Sequence, residues 1–185
     1  MSAAFQLVPI TPDLVSVYKQ VRLAALQDSP EAFCATYARE SQLTDEDWLQ
    51  RTISLDGINR IGFLALVDMK SPVGPSPTGL VCCFRNADRP TQANVISMWV
   101  APSHRGCGLS SALLEAVLHW ARFRGFAELQ LLAVSNNDRA IAFYERYGFR
   151  KTGHTQPHGN DPALSEVEMA LPLLDHSGSM VLHVG

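Results

Sequence analysis

Val95-Ile96-Ser97-Met98-Trp99-Val100-Ala101-Pro102-Ser103-His104-Arg105-Gly106-Cys107-Gly108-Leu109-Ser110 reads as an apolar strand that runs through a glycine-bearing turn into an apolar helix. The strand closes at Ala101-Pro102. Behind the turn, Leu109, Leu113, Ala116, Val117, Trp120 and Ala121 recur at three- and four-residue intervals, one face of a helix opening at Gly108. Gly106 and Gly108 allow the backbone to approach a bound group. They also leave the first helical N–H groups unpaired at the positive end of the helix dipole. Such a helix mouth is an anion cradle suited to phosphate. An isolated G-x-G is also what a plain strand-to-helix turn looks like, so the next stretch has to decide.

The next stretch is a strand over 128–134, then Ser135-Asn136-Asn137 and a helical segment from Asp138 that closes at Gly148-Phe149. Asn137 is a good N-cap, and Gly148 stands where a left-handed residue ends a helix. Asn137, Ala140 and Tyr144, spaced by three and four, share a helical face. With both blocks in place, the chain resembles the GNAT superfamily of acyl-CoA-dependent N-acetyltransferases. That family's loop, Gln/Arg-x-x-Gly-x-Gly/Ala, matches Arg105-Gly106-Cys107-Gly108-Leu109-Ser110, with Ser110 departing from the usual small apolar residue. Its later block, Asn-x-x-Ala-x-x-x-Tyr followed by Gly-Phe, matches Asn137 through Phe149. The likeness is strong over 93–171 and an outline over 1–92.

The resemblance implies an α/β fold with a mixed, mostly antiparallel sheet of about seven strands flanked by helices. It implies that the strand ending at Val100 and the strand 128–134 are parallel neighbours that splay apart to admit the pantetheine arm of acetyl-CoA. Backbone groups of Met98, Trp99 and Val100 would pair with that arm. Amides from Gly106 through Cys107, Gly108, Leu109 and Ser110 to Ser111 would hold the pyrophosphate, with Arg105 as a phosphate partner and Asn137 shaping the site. Tyr144 would donate a proton to the departing sulfur, since a phenol stays protonated at neutral pH. The ordinary alternatives are a solvated or ion-paired Arg105 and a core-packing Tyr144; Phe143 and Tyr147 read as packing. The Met98 side chain reads as core or rim packing, and Trp99 is left open as a residue that could face the acceptor.

At 185 residues with a formal charge of −3, the chain is expected to form one domain, 1–174, with a tail, 175–185. The charge argues against nucleic acid, which would call for a basic excess. No apolar run approaches the ~20 residues of a membrane helix, and no leader is recognisable, so a cytoplasmic location is expected. Cys34, Cys82, Cys83 and Cys107 lack metal-ligand spacing, and adjacent Cys82 and Cys83 should point to opposite faces of a strand as free thiols. No metal is expected, and a homodimer is possible.

Outside the core motifs, a strand is expected over 5–10 and a helix from the Thr11-Pro12 cap to about 26. A short helix should follow over 31–40, opened by Ser29-Pro30, and another over 45–53 behind Thr44. Strands over 61–68 and 78–85 should flank a loop, 69–77; strands over 149–154 and 165–171 should flank a polar loop, 155–163. The proton acceptor has no clear address. In the branch that acetylates protein N-termini a Glu stands five residues before the Asn; here that residue is Leu132. Glu40 is the leading candidate, being three residues from Tyr37 and seven from Phe33 on an apolar face. Pairing of Glu40 with an arginine such as Arg22 is the competing reading, and His154 and His158 are further candidates. Cys107 at the helix mouth could be a nucleophile, but direct transfer needs only its backbone. The expected acceptor is a small-molecule primary amine. A protein lysine or N-terminus, or a non-catalytic acyl-CoA-binding module, are the alternatives.

Overall fold

A computed structural model describes residues 5–67 and 76–173. Most of the expected 69–77 loop and the whole of the 175–185 tail lie outside the described residues. Seven strands, β1 (Gln6–Pro9), β2 (Arg60–Val67), β3 (Ser76–Arg85), β4 (Gln92–Val100), β5 (Glu128–Val134), β6 (Arg150–Pro157) and β7 (Ser165–Pro172), form one sheet in the order β1-β2-β3-β4-β5-β7-β6. Every neighbouring pair is antiparallel except β4 and β5. The helices are α1 (Val15–Asp28), α2 (Tyr37–Glu40), α3 (Asp45–Ile53), α4 (Leu109–Phe123) and α5 (Asp138–Arg146).

Side-chain alternation splits the core between the two faces of the sheet. On one, Ala65, Val81, Cys83, Ala93, Val95, Leu129 and Leu131 pack with α4 and α5. On the other, Leu64, Leu66, Leu80, Cys82 and Trp99 pack with Tyr18, Val21, Ala25 and Leu26 of α1 and Trp48 of α3. Cys82 and Cys83 thus face opposite layers, as their adjacency requires, and both thiols are free. Trp48 is fully enclosed and meets Tyr18 edge-on at 5.7 Å between ring centroids.

Two departures from sequence expectation shape the site. The helix expected over 31–40 is interrupted. Pro30–Ala32 is a single 3-10 turn, Phe33 is extended at φ −134, ψ 138, and α2 is one turn opened by Thr36, whose side chain accepts from Arg39 N. Buried Phe33 wins the contest, because pulling its ring into the α1 layer is worth more than continuing a short polar helix. Similarly, Pro12–Leu14 is a 3-10 turn without a side-chain cap from Thr11, and α1 begins only at Val15. The second departure is in β4. Leu80 pairs with Trp99 but Cys82 with Ile96, so β4 carries one extra residue, and Ser97 takes the left-handed value φ 58. β4 meets β5 only through Gln92, Ala93 and Asn94, so the two strands have already parted where the bulge begins. The parting of two parallel strands opens the interior of the sheet.

Candidate active site

The end of β4, the turn at Ser29, Glu31 and Ala32, the start of α4 and the inner face of α5 enclose a cleft of about 630 Å³. Gly106 and Gly108 have φ +80 and +87, a region closed to most side chains, so the turn needs glycine for its backbone angles. A Cβ built on either would meet no atom within 4 Å, so the mouth stands open. Gly108 is the N-cap of α4 and offers no side-chain acceptor. The amides of the first turn therefore face the cleft, where Ser110 and Ser111 form part of the wall, while the Leu109 side chain is turned into the core. Cys107 is exposed, and its thiol donates to His104 O at 2.8 Å.

The guanidinium of Arg105 is not aimed freely at the cleft. It donates to Val100 O through Nε at 3.0 Å and through Nη2 to Asp28 Oδ2. The ion-paired reading of Arg105 is therefore what the structure contains, although the side chain remains on the cleft wall. Asp28 also accepts from Ser29 Oγ at 2.7 Å and Trp99 Nε1 at 2.8 Å. Burial would raise the Asp28 pKa, but Ser29, Trp99 and Arg105 together hold it below the ordinary carboxylate value. This answers the open question on Trp99: its indole is buried in the α1 layer with its N–H committed, and it adjoins the cleft rather than the second cavity described below. Met98 is half-buried against the core and lines the cleft with Val100.

From the opposite side, Asn137 Oδ1 accepts from Ala140 N at 3.1 Å, which fixes the start of α5 as its type predicts. Tyr144 lies one helical face along and borders the cleft, its ring edge-on to Phe143 and Phe149. Burial pushes its phenol well above the usual tyrosine range, so it carries its proton at any working pH. Tyr147 turns away and donates to Glu115 Oε1 at 3.1 Å. Arg139 and Arg146, seven residues apart, bring two further cations to the cleft. Sequence reasoning passed over them, although the seven-residue spacing puts both on one face of α5.

A second cavity, of about 730 Å³, lies beyond the β4 bulge, and Ala32 lines both spaces. Its floor is Asn94, Ile96 and Ser97 of β4 with Gln130 and Leu132 of β5. One wall carries Arg22, Arg39, Glu40 and Arg51; the opposite wall carries Cys34, Gln156, Glu166 and Glu168. Glu40 is 4% exposed and is gripped by Arg22 through two hydrogen bonds, both 3.0 Å, and by Arg51 at 3.1 Å. Burial works to raise its pKa, but the hydrogen bonds and charge of Arg22, then Arg51, outweigh it and hold the carboxyl below its ordinary value. A carboxylate so held is a poor proton acceptor, and the pairing reading describes Glu40 correctly. The helical spacing from Phe33 that suggested a proton-handling role does not exist, since Phe33 is extended. Arg22 Nη1 also donates to Ser97 Oγ at 2.9 Å, tying the ion pair to the bulge.

The carboxylates that sequence reasoning missed are on β7. Val167, Met169 and Leu171 pack into the core, so Glu166 and Glu168 share the cavity face. Alternation of acid and apolar residue in Glu166-Val167-Glu168-Met169 was the available signal. In register, Glu168 is directly opposite Leu132 and Glu166 opposite Val134. Glu168 Oε1 accepts from Thr152 Oγ1 at 2.8 Å; Glu166 Oε2 accepts from Gln156 Nε2 at 2.9 Å. Burial, then the charge of Glu166, push the Cys34 thiol up, so it stays protonated and donates to Glu166 Oε1 at 3.7 Å. Cys34, Glu166 and His158 bring ligand-type atoms within 4.8 Å of one another. However, His158 Nδ1 accepts from the amides of Asn160 and Asp161 at 3.3 and 3.2 Å. Those amides place its proton on Nε2, a donor rather than a metal ligand. His154 is exposed on β6, away from both spaces.

Comparison with known proteins agrees with this geometry. The model of the acetyltransferase (GNAT) family matches residues 24–149. N-acetyltransferase family 8 member 2 of Rattus norvegicus is 32% identical over 84 residues, 44% of this chain and 37% of that protein. An uncharacterized N-acetyltransferase of Methanocaldococcus jannaschii is 31% identical over 83 residues, 43% of this chain and 37% of its own length. The chain thus matches little more than a third of each of these relatives. In fold, it is similar to an N-acetyltransferase from Staphylococcus aureus Mu50, with a TM-score of 0.74 at 17% identity over 92% of this chain and 99% of that one. It is equally similar to yncA of Salmonella typhimurium, solved with its cofactor acetyl-CoA, with a TM-score of 0.73 at 17% identity over 94% and 96% of the two chains. Among the described residues, no helix is long and apolar enough to cross a membrane.

Proposed function

The chain belongs to the GNAT acetyltransferase family, and from that premise we propose that it moves an acetyl group from acetyl-CoA directly to the primary amine of a small molecule. The observation that carries this reading is the meeting of two spaces at Ala32: a cleft at the glycine-bearing mouth of α4, edged by Tyr144, and a polar cavity edged by Glu166 and Glu168.

The residues fit the co-substrate. The open mouth of α4, from Gly106 to Ser111, suits its pyrophosphate, with Arg139 and Arg146 as further phosphate partners. The free edge of β4 at Met98, Trp99 and Val100 suits the amides of its pantetheine arm, as an added strand would. When bound, acetyl-CoA supplies an acyl group on a thioester, whose C–S bond breaks as the C–N bond to the amine forms. Tyr144 Oη, protonated by its burial, supplies the proton that the sulfur needs. Asn137 fixes the helix that aims it. An amine attacks only when neutral, so a proton must leave the incoming ammonium. Glu168 is the acceptor we assign, with its other contact a neutral hydroxyl rather than a guanidinium. It presents from β7 a carboxylate opposite the position where Leu132 offers none. Glu40 keeps Arg22 and the bulge in place rather than handling the proton.

A cavity of about 730 Å³ walled by three sides of the fold suits a compact amine better than an extended polypeptide. The test is release of coenzyme thiol from acetyl-CoA with a panel of small amines. Saturable, amine-dependent release is the expected result. Coenzyme binding without any amine-dependent release would make the chain a binding module and refute the reading.

A further inference from the structure

The second cavity is divided by charge. On the helical wall, three guanidiniums, Arg22, Arg39 and Arg51, face one carboxylate, Glu40, so that wall carries an excess of positive charge. Arg22 and Glu40 neutralise each other through paired hydrogen bonds. Arg51 gives one edge to Glu40 and stacks its guanidinium 5.0 Å from the Trp48 ring centroid, with its side chain 37% exposed. Among the described residues, no carboxylate lies within ion-pair distance of Arg39. Donors of the two outer arginines are therefore left for a ligand.

The β7 wall is the reverse. Glu166 is 6% exposed, and its neighbours are a thiol and a side-chain amide. Among the described residues no cation lies within ion-pair distance of it or of Glu168. An ionised carboxylate enclosed without a counter-charge is costly, and the cost is relieved when a cation arrives. An amine acceptor arrives as that cation. Its own charge does not explain the opposite wall, where a plain amine would be repelled by Arg39 and Arg51.

We infer that the acceptor is an amphoteric small molecule, an amine that also carries a carboxylate, held with its ammonium at Glu166 and Glu168 and its carboxylate at Arg39 and Arg51. The inference rests on the transferase reading above and narrows its substrate class. Planar guanidiniums suit a carboxylate, which can accept two parallel N–H bonds from one fork. The floor between the walls contains Ile96 and Leu132, both partly exposed, so the body joining the two charged ends can be apolar.

The experiment uses the full chain and matched pairs in which a carbon chain separates the two charged ends: 4-aminobutanoate with propylamine, 6-aminohexanoate with pentylamine, and 8-aminooctanoate with heptylamine. Binding is read by calorimetry and transfer by thiol release. The carboxylated member is expected to be preferred roughly threefold to fivefold or more in at least one pair, the upper scale of an exposed ion pair. In the double variant Arg39→Gln, Arg51→Gln that preference ratio should shrink towards one. A Glu166→Gln variant should weaken binding of both members of the pair. Equal or better binding of the plain amines in every pair would overturn the inference. A preference that survives the double arginine change would overturn it too. A carboxylate preference in binding without thiol release would leave the ligand class standing and sink the transferase reading instead.

Discussion

Replacing Glu40 by glutamine tests the core of the cavity wall. The substitution keeps the shape of the side chain but removes the charge that three hydrogen-bond-length contacts serve: two from Arg22 at 3.0 Å and one from Arg51 at 3.1 Å. Arg22 is 8% exposed, so its guanidinium cannot turn to water; it would keep Ser97 Oγ and the face of Phe33, 4.8 Å away, neither of which carries charge. Breaking a buried pair by removing one partner costs about 3–5 kcal/mol, and the amide oxygen of Gln can still accept one bond, so we place the loss near about 3 kcal/mol. For a chain of this size that is a fall of roughly 6–12 °C in Tm. Urea unfolding monitored by tryptophan fluorescence would give the free energy, and calorimetry the Tm. The pH dependence has a defined sign. Because Glu40 titrates below its ordinary value in the folded protein, its stabilisation is complete above the unfolded value of 4.5 and is lost as pH falls through the lower folded value. The variant should lack that share of the acid sensitivity. Removing both charges with Arg22→Met and Glu40→Leu should restore much of the loss. A cost below about 1 kcal/mol for Glu40→Gln, with the acid limb unchanged, would show that the pair is solvated and the reasoning wrong.

Tyr144→Phe should keep the fold and coenzyme affinity while lowering kcat and kcat/KM together by roughly 10²–10³-fold, the scale of a lost positioned proton donor; an unchanged single-turnover rate would return the residue to core packing. Gly108→Asp sets a side chain at φ +87 and a negative charge in the helix mouth, and should abolish acetyl-CoA binding. Wild-type affinity by calorimetry in a folded variant would remove the loop from the site. Asn137→Ala deletes the α5 cap and should cost about 1 kcal/mol of stability, with a drop in Tm of roughly 2–4 °C; no change in the melting curve would contradict the cap.

The turn at 105–110 and the cap at Asn137 were legible because each is a local device. Their signals, glycine before an apolar helix and asparagine before a helical face, need no knowledge of the rest of the chain. The parallel placing of β4 beside β5 within a mostly antiparallel sheet followed from the family resemblance rather than from alternation. Residues 30–40 were misread because local helix signals lost to the burial of Phe33, a tertiary effect that no window of sequence contains. The partner that Arg105 has in the fold, Asp28, is 77 positions away, beyond the reach of a local reading. Glu40 was correctly singled out as a buried acid, but its role turned on Arg22 and Arg51, which arrive from α1 and α3. By contrast, the shared face of Glu166 and Glu168 is readable from simple alternation along β7.

The extra residue at Ser97 changes the parity of β4. Ahead of it, odd-numbered Ala93 and Val95 face α4 and even-numbered Asn94 and Ile96 face the acceptor side; past it, Trp99 faces α1 while Met98 and Val100 face the α4 layer. The half-strand that floors the second cavity is thereby out of phase with the half-strand that edges the cleft. Substitutions at 94 and 96 can reshape that cavity without disturbing the backbone edge at 98–100. A single-residue deletion at the bulge would instead swap inside for outside along one half and ruin both spaces at once. The shape of the second cavity is thus open to point changes and closed to length changes at that position.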